Sequence, residues 1–104
     1  MEYVESYKEL EVYKAAGQLS KDIYLITKSF PREEMYSLTD QIRRSSRSIG
    51  AQIAEEWAKR KYEKHFVSKL TDADGEQQET QHWIETSLDC GYFSAEVAED
   101  FLKQ

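Results

Sequence analysis

Apolar side chains recur along this chain at three- and four-residue steps, in three long stretches and one short one. Val12, Ala16, Leu19, Ile23, Ile26 and Phe30 follow the repeat of a seam on a bundled helix. The spacing predicts a first helix over about 7–29. Pro31 closes it, because a proline pushes the residue before it out of the α region. Glu33 and Glu34 suit the positive end of a second helix. Along that helix Met35, Leu38, Ile42, Ser45, Ile49, Ile53 and Trp57 form one stripe. A third helix is expected over 62–90, with Phe66, Leu70, Ala73, Gln77, Thr80, Gln81, Ile84 and Leu88 on its seam and Gly91 as its stop. Ser94 as N-cap and Glu96 in the first turn open a short fourth helix, whose large apolar anchors are Val97, Phe101 and Leu102. Short connections make neighbouring helices antiparallel. The expectation is an all-α, antiparallel up-and-down four-helix bundle with a short fourth helix, one domain over 1–104.

Composition agrees with this. One proline, four glycines and 33% charged residues in a chain of 104 suit a helical domain with one modest core. No apolar run approaches the ~20 residues of a membrane span, and the opening MEYVESYKEL is acidic, unlike a signal peptide. Cys90 stands alone, which excludes a disulfide framework and a cysteine-spaced zinc site. A cytoplasmic protein is expected. The net charge of −6 is unevenly spread: −3 over 1–42, +5 over 43–69 and −8 over 70–104. The overall acidity argues against a generic nucleic-acid binder, for which a basic domain is the usual footprint. The local basic band, Arg43, Arg44, Arg47, Lys59, Arg60 and Lys61, can still hold a polyanion in a focused field. The last three read primarily as cations suited to the C-terminal end of the second helix.

The second helix carries a second pattern. At about 100° per residue, Arg44, Arg47, Ala51, Ala54 and Ala58 fall opposite the Ile42–Trp57 stripe. Alanines leave the backbone approachable where a solvated face would carry Lys, Glu or Gln. The first helix has a matching stripe of Tyr13, Gly17, Ser20 and Tyr24, with Lys14, Lys21 and Lys28 beside it. Together these predict a homo-oligomer closed into a ring through a heterologous interface. Tyr13, Tyr24, Arg47, Ala51, Ala54, Ala58 and Trp83 are its expected interface residues. Arg44 has Asp40 one turn away as a pairing partner, whereas Arg47 has no such acid.

Catalytic signals are weak. Glu79 and His82 have the Glu-x-x-His spacing of di-iron bundles, but two such motifs are needed and there is one. His82 also lies roughly 160° from Phe66, away from the core. Neither histidine has a nucleophile in a strand–turn–helix setting. Asp72, Asp74, Glu76 and Glu79 read as a solvated face without a pocket to perturb them. Gly75 follows no strand, so it implies no phosphate loop. In mid-helix it costs about 1 kcal/mol relative to Ala, which a close helix–helix approach would explain. The expectation is a non-enzymatic protein without cofactor or metal. Gln77 and Gln81, on a seam, are expected to pair with Ser45, Ser46 or Thr27 in a polar layer that fixes register.

The segment Gln41–Glu56, QIRRSSRSIGAQIAEE, resembles the signature of small bacterial four-helix bundle proteins first noticed in intervening sequences of 23S ribosomal RNA genes. Leu10-Glu11-Val12-Tyr13, Phe30-Pro31 and Glu34 resemble that family's opening and first turn. Ala73-Asp74-Gly75, Glu79 and Trp83 resemble its third helix, and Cys90-Gly91-Tyr92 its end. The resemblance implies a homopentameric barrel of up-and-down bundles and no settled activity. Accessory proteins of diversity-generating retroelements share this pentameric fold and are basic binders of nucleic acid and reverse transcriptase. Two departures stand out: the family's Asn-Ile-Ala-Glu-Gly is Gln52-Ile53-Ala54-Glu55-Glu56 here, a stiffer and more acidic end, and the last third is strongly acidic. The function expected is a homo-oligomeric, pentameric scaffold for a macromolecular partner, with RNA or a nucleic-acid enzyme as the candidate. The alternative is a protein–protein scaffold whose arginines serve the subunit interface.

Overall fold

A computed structural model describes residues 6–58 and 63–103, with side chains described over 6–58 and 73–103. Four α-helices follow in order: α1 (Glu11–Thr27), α2 (Leu38–Ala58), α3 (Glu63–Asp89) and α4 (Ala95–Leu102). Short 3-10 turns precede the first two, at Tyr7–Glu9 and Arg32–Glu34. The chain is an all-α four-helix bundle with a short last helix.

Helix α2 is central and packs on both α1 and α3, while α4 packs on α3. The seam residues explain why. Ile23, Ile42 and Ile84 are fully or almost fully buried, each contributing about 1.5–3 kcal/mol by leaving water. Between α2 and α3 the contact is small and hydroxylic: the Thr80 and Ser45 hydroxyls lie 3.0 Å apart, and Ser87 bonds back to a carbonyl of its own helix. Small side chains there let the backbones approach while the Ser45, Thr80 and Ser87 hydroxyls each keep a partner. The polar layer is therefore Ser45–Thr80. Gln77 and Gln81, expected to supply it, are half-buried, and Gln77 borders a groove with Leu19 and Ile49 instead.

At one end Phe30, Tyr92, Phe93 and Phe101 form an aromatic cluster with ring centroids 5.2–5.7 Å apart. The loop that brings α4 onto it is a Schellman turn. The Tyr92 N–H donates to Ser87 O, the Gly91 N–H donates to Leu88 O, and Gly91 takes φ +77°, which a side chain would oppose. Ser94 then caps α4 by accepting the Val97 N–H at 3.2 Å. The Tyr92 hydroxyl reaches back to donate to Glu34 at 2.8 Å. That bond, with burial second, pushes the Tyr92 phenol up to about 12. Glu34 is lowered by its hydrogen bond from Ser37 and then by that from Tyr92.

Several expectations shift. The second helix starts at Leu38, not near Glu33, because the residues after Pro31 take a 3-10 turn held by the Tyr92 bond; Met35 stays exposed. Val12, placed on the first seam, is 58% exposed, since no helix covers it. Glu56, read as part of a stiff acidic end, is 1% exposed and faces the interior. Gly75 has open space around the position of a Cβ, so no close approach within the chain explains it.

Candidate nucleic-acid interface

The three arginines of α2 are drawn to different neighbours. Arg44 projects toward α3, where one of its terminal nitrogens (Nη2) donates to both carboxylate oxygens of Glu79 at 2.7 and 2.8 Å. Glu76 stands 3.9 Å from the other terminal nitrogen, and Gln41 also accepts from the guanidinium at 3.4 Å. The partner is thus an acid on the adjoining helix and not Asp40, since the register of α2 on α3 brings Glu79 within direct reach. The acids of α3 are correspondingly not one solvated face: Glu76 and Glu79 are half-buried against Arg44. Burial, followed by the negative charge of Glu79, raises the Glu76 carboxyl above its ordinary range. Burial works the same way on Glu79, but the Arg44 hydrogen bond and charge, helped by Trp83, outweigh it and leave that carboxyl lowered. The Glu79 hydrogen bond raises Arg44 against burial.

Arg43 and Arg47 turn the other way, toward α1. Arg43 Nε donates to Thr27 Oγ1 at 2.8 Å, and its guanidinium lies 4.8 Å from the centre of the Tyr24 ring. Arg47 lies 5.4 Å from the same ring and Lys28 Nζ 5.0 Å from it. Three cations thus converge on one tyrosine, drawn by the negative face of its π system. Among the described residues none of the three has an ion-pair partner. Two elements enforce this arrangement. Tyr24 and Lys28 are one turn apart on α1, Arg43 and Arg47 are one turn apart on α2, and the packing of the two helices superimposes the pairs.

Beside this cluster, on the back of α2, runs a groove of ≈ 500 Å³ walled by Met35, Thr39, Asp40, the three arginines, Ser48 and Ala51. Thr39 is 5% exposed, and its buried hydroxyl has no hydrogen-bond partner among the described residues. A smaller hollow, ≈ 180 Å³, continues over Tyr13, Gly17, Ser20, Gly50 and Ala51.

The expected interface residues divide accordingly. Tyr24, Arg47 and Ala51 lie together on the back of α2 and α1, with Ala58 exposed further along α2 and Ala54 half-buried. Tyr13 is half-buried edge-on to Tyr7, with centroids 4.9 Å apart, and its ring reaches the Cα side of Gly50. Trp83 is not on this surface: it packs against the core beside His82 and Glu79. Lys59, Arg60 and Lys61 lie outside the described residues. Lys28 and Thr39, which the charge band over 43–69 did not include, join the site; Lys28 had a signal in its four-residue spacing from Tyr24. Among the described residues no group of three or more His, Cys, Asp or Glu is placed to hold a metal ion, and no helix is long and apolar enough to cross a membrane.

Fold and face together define a small helical-bundle protein carrying an arginine–tyrosine surface. The chain belongs to the 23S rRNA-intervening sequence protein family, whose model matches residues 8–104. No curated protein matches the chain.

Proposed function

We propose that this protein is a non-enzymatic, homo-oligomeric scaffold that binds single-stranded RNA through the back of α2, with Arg43, Arg47 and Lys28 as its phosphate contacts. The observation that carries this reading is the convergence of three unpaired cations on Tyr24. Asp40 stands on the same groove but is within ion-pair distance of none of the three. Like charges gathered without a paired acid repel one another, and an incoming phosphate relieves that repulsion while taking charge-assisted hydrogen bonds. The groove next to them is open along the back of α2, a shape suited to a backbone. Arg44 is already satisfied by Glu79, so it orients α3 and leaves phosphate binding to the other two arginines. Lys59, Arg60 and Lys61 extend the same charge along the sequence. Assembly as a closed ring, pentameric as the family resemblance implies, sets several such faces in one particle and multiplies their affinity.

A subunit interface is the second reading. It is supported by exposed Gly17, Ala51 and Ala58, small residues that suit close docking of a second copy. One experiment separates the two. Fluorescence anisotropy with a labelled single-stranded RNA, paired with light scattering, is read on wild type and Arg47→Glu. RNA binding lost at unchanged molar mass is the expected outcome. Dissociation of the oligomer by Arg47→Glu assigns the arginine to the interface instead, and absence of RNA binding by the wild type overturns the proposal.

A further inference from the structure

The opposite side of the bundle carries a different surface. Because α2 packs on both α1 and α3, the two outer helices leave a trough between them, floored by α2. At the aromatic end, α4 adds buried Ala98 and Phe101 to the core. With eight residues against 17, 21 and 27, it does not reach the other end, which no other described helix covers. There Val12, Ala15, Ala16 and Leu19 of α1, Ile49 and Ile53 of α2, and Ala73 of α3 line a groove of ≈ 500 Å³. Val12 is the sharpest sign of it, a seam valine 58% exposed at the lip.

The rim has a sign. Asp74 and Gln77 border the groove on the α3 side. On α1 the edge turned toward α3 carries Glu11, Gln18 and Asp22, by helical periodicity. Lys14, Lys21 and Lys28 fall on the far side of that helix, so no described cation stands on either wall. Glu11 is bridged by Lys14 at 3.5 Å, and Asp22 accepts from Gln18 at 2.8 Å. Asp22 and Asp74 have no ion-pair partner, and the half-buried Gln77 amide has no hydrogen-bond partner, among the described residues. An apolar floor between two uncompensated carboxylates, with a spare amide at the rim, is the complement of an amphipathic helix with basic flanks.

We infer that this trough docks a basic amphipathic helix of a partner protein, its apolar face on Leu19, Ile49 and Ile53 and its lysines or arginines reaching Asp22 and Asp74. The lined wall from Val12 to Leu19 is about 10 Å long, two helical turns. That length admits apolar anchors at i, i+3 or i+4, and i+7, the usual reading frame of a helix laid in a groove. A second copy of this chain is a poorer occupant, because the apolar stripe of its basic helix α2 is consumed by its own core. The trough and the Tyr24 face lie on opposite sides of α2, so failure of either assignment leaves the other standing.

The test is anisotropy of a labelled, amidated peptide of about 15 residues, long enough to be helical when docked. It carries leucines at that spacing and lysines on both flanks. Two controls share its length: a scramble of the same composition, and a version with glutamates for lysines. The full-length protein is expected to bind the amphipathic basic peptide at least tenfold more tightly than either control. Ala15→Arg and Asp74→Lys, both at exposed positions, are each expected to weaken it at least tenfold while circular dichroism and molar mass stay unchanged. Equal binding of the scramble shows charge attraction without docking and overturns the inference. So does indifference of binding to both substitutions. Dissociation of a wild-type oligomer by Ala15→Arg gives the trough to a second copy, with the same consequence.

Discussion

Glu76 and Glu79 stand less than one turn apart on α3 and face the same guanidinium, yet they titrate in opposite directions. Glu79 is lowered because Arg44 donates to both its oxygens, whereas Glu76, 3.9 Å away, receives burial and repulsion with little in return. The consequences for stability have opposite signs. The lowered Glu79 contributes stability above the ordinary carboxyl value of 4.5 that is lost as pH falls through its own, lower value. The raised Glu76 carries a penalty at neutral pH, which disappears as pH falls through its higher value toward 4.5. Glu79→Gln is therefore expected to lower the melting temperature at pH 7, and Glu76→Gln to raise it. Each change corresponds to about 0.5 kcal/mol for a partly exposed pair, and each is smaller at pH 3 than at pH 7. Melting curves of both variants at pH 7 and pH 3 check this; the same sign for both at pH 7 refutes it. None of this pairing is visible in the chain order. Asp40 is the acid that local spacing offers Arg44, and only the inter-helix register selects Glu79.

At the scale of elements, the signals that were legible are the local ones. Gly91 and Ser94 mark the turn and the cap by chemistry that belongs to single residues, and the structure uses both as such. Replacing Gly91 by Ala keeps every contact but places a side chain at φ +77°, which costs on the order of 1–2 kcal/mol. Thermal unfolding is expected to show that loss with the helical content retained at low temperature; an unchanged midpoint means the turn relaxes to another geometry. The seams of α1, α2 and, over its described side chains from Ala73 on, α3 were readable for a similar reason, since period and burial are properties of one helix at a time. Phe66 and Leu70 lie outside the described side chains. Where a boundary depends on another element, the pattern misled. The stripe through Met35 continues past the point where Pro31 and the Tyr92–Glu34 bond impose a 3-10 turn. Gln77 occupies a seam position by count, yet it borders an open trough because no fourth helix reaches it. The Tyr24 site lay between these cases: each helix shows its own pair at four-residue spacing, but their superposition is a fact of packing.

For the whole molecule, a net charge of −6 and a polyanion ligand are compatible only if the positive charge is concentrated and most of the acids are elsewhere. The bundle arranges this. Lys28, Arg43 and Arg47 meet on the α1–α2 side with Asp40 on the adjoining groove, while Glu76 and Glu79 face Arg44 at α3 and Asp74 borders the trough. The arrangement predicts how RNA binding depends on salt. Each phosphate neutralised on a single strand contributes about −0.7 to the slope of log K against log salt, so three contacts give a slope of about −2 per engaged subunit. Arg47→Ala and Lys28→Ala are each expected to make the slope shallower by about 0.7. Tyr24→Ala removes no charge but lets the cations splay, so affinity falls several-fold while the slope is kept. A slope that is a multiple of two, at a molar mass several times that of the chain, means that the RNA runs across neighbouring faces of one ring. A slope indifferent to Arg47→Ala places the contact elsewhere on the protein, and the convergence on Tyr24 is then a feature of subunit packing.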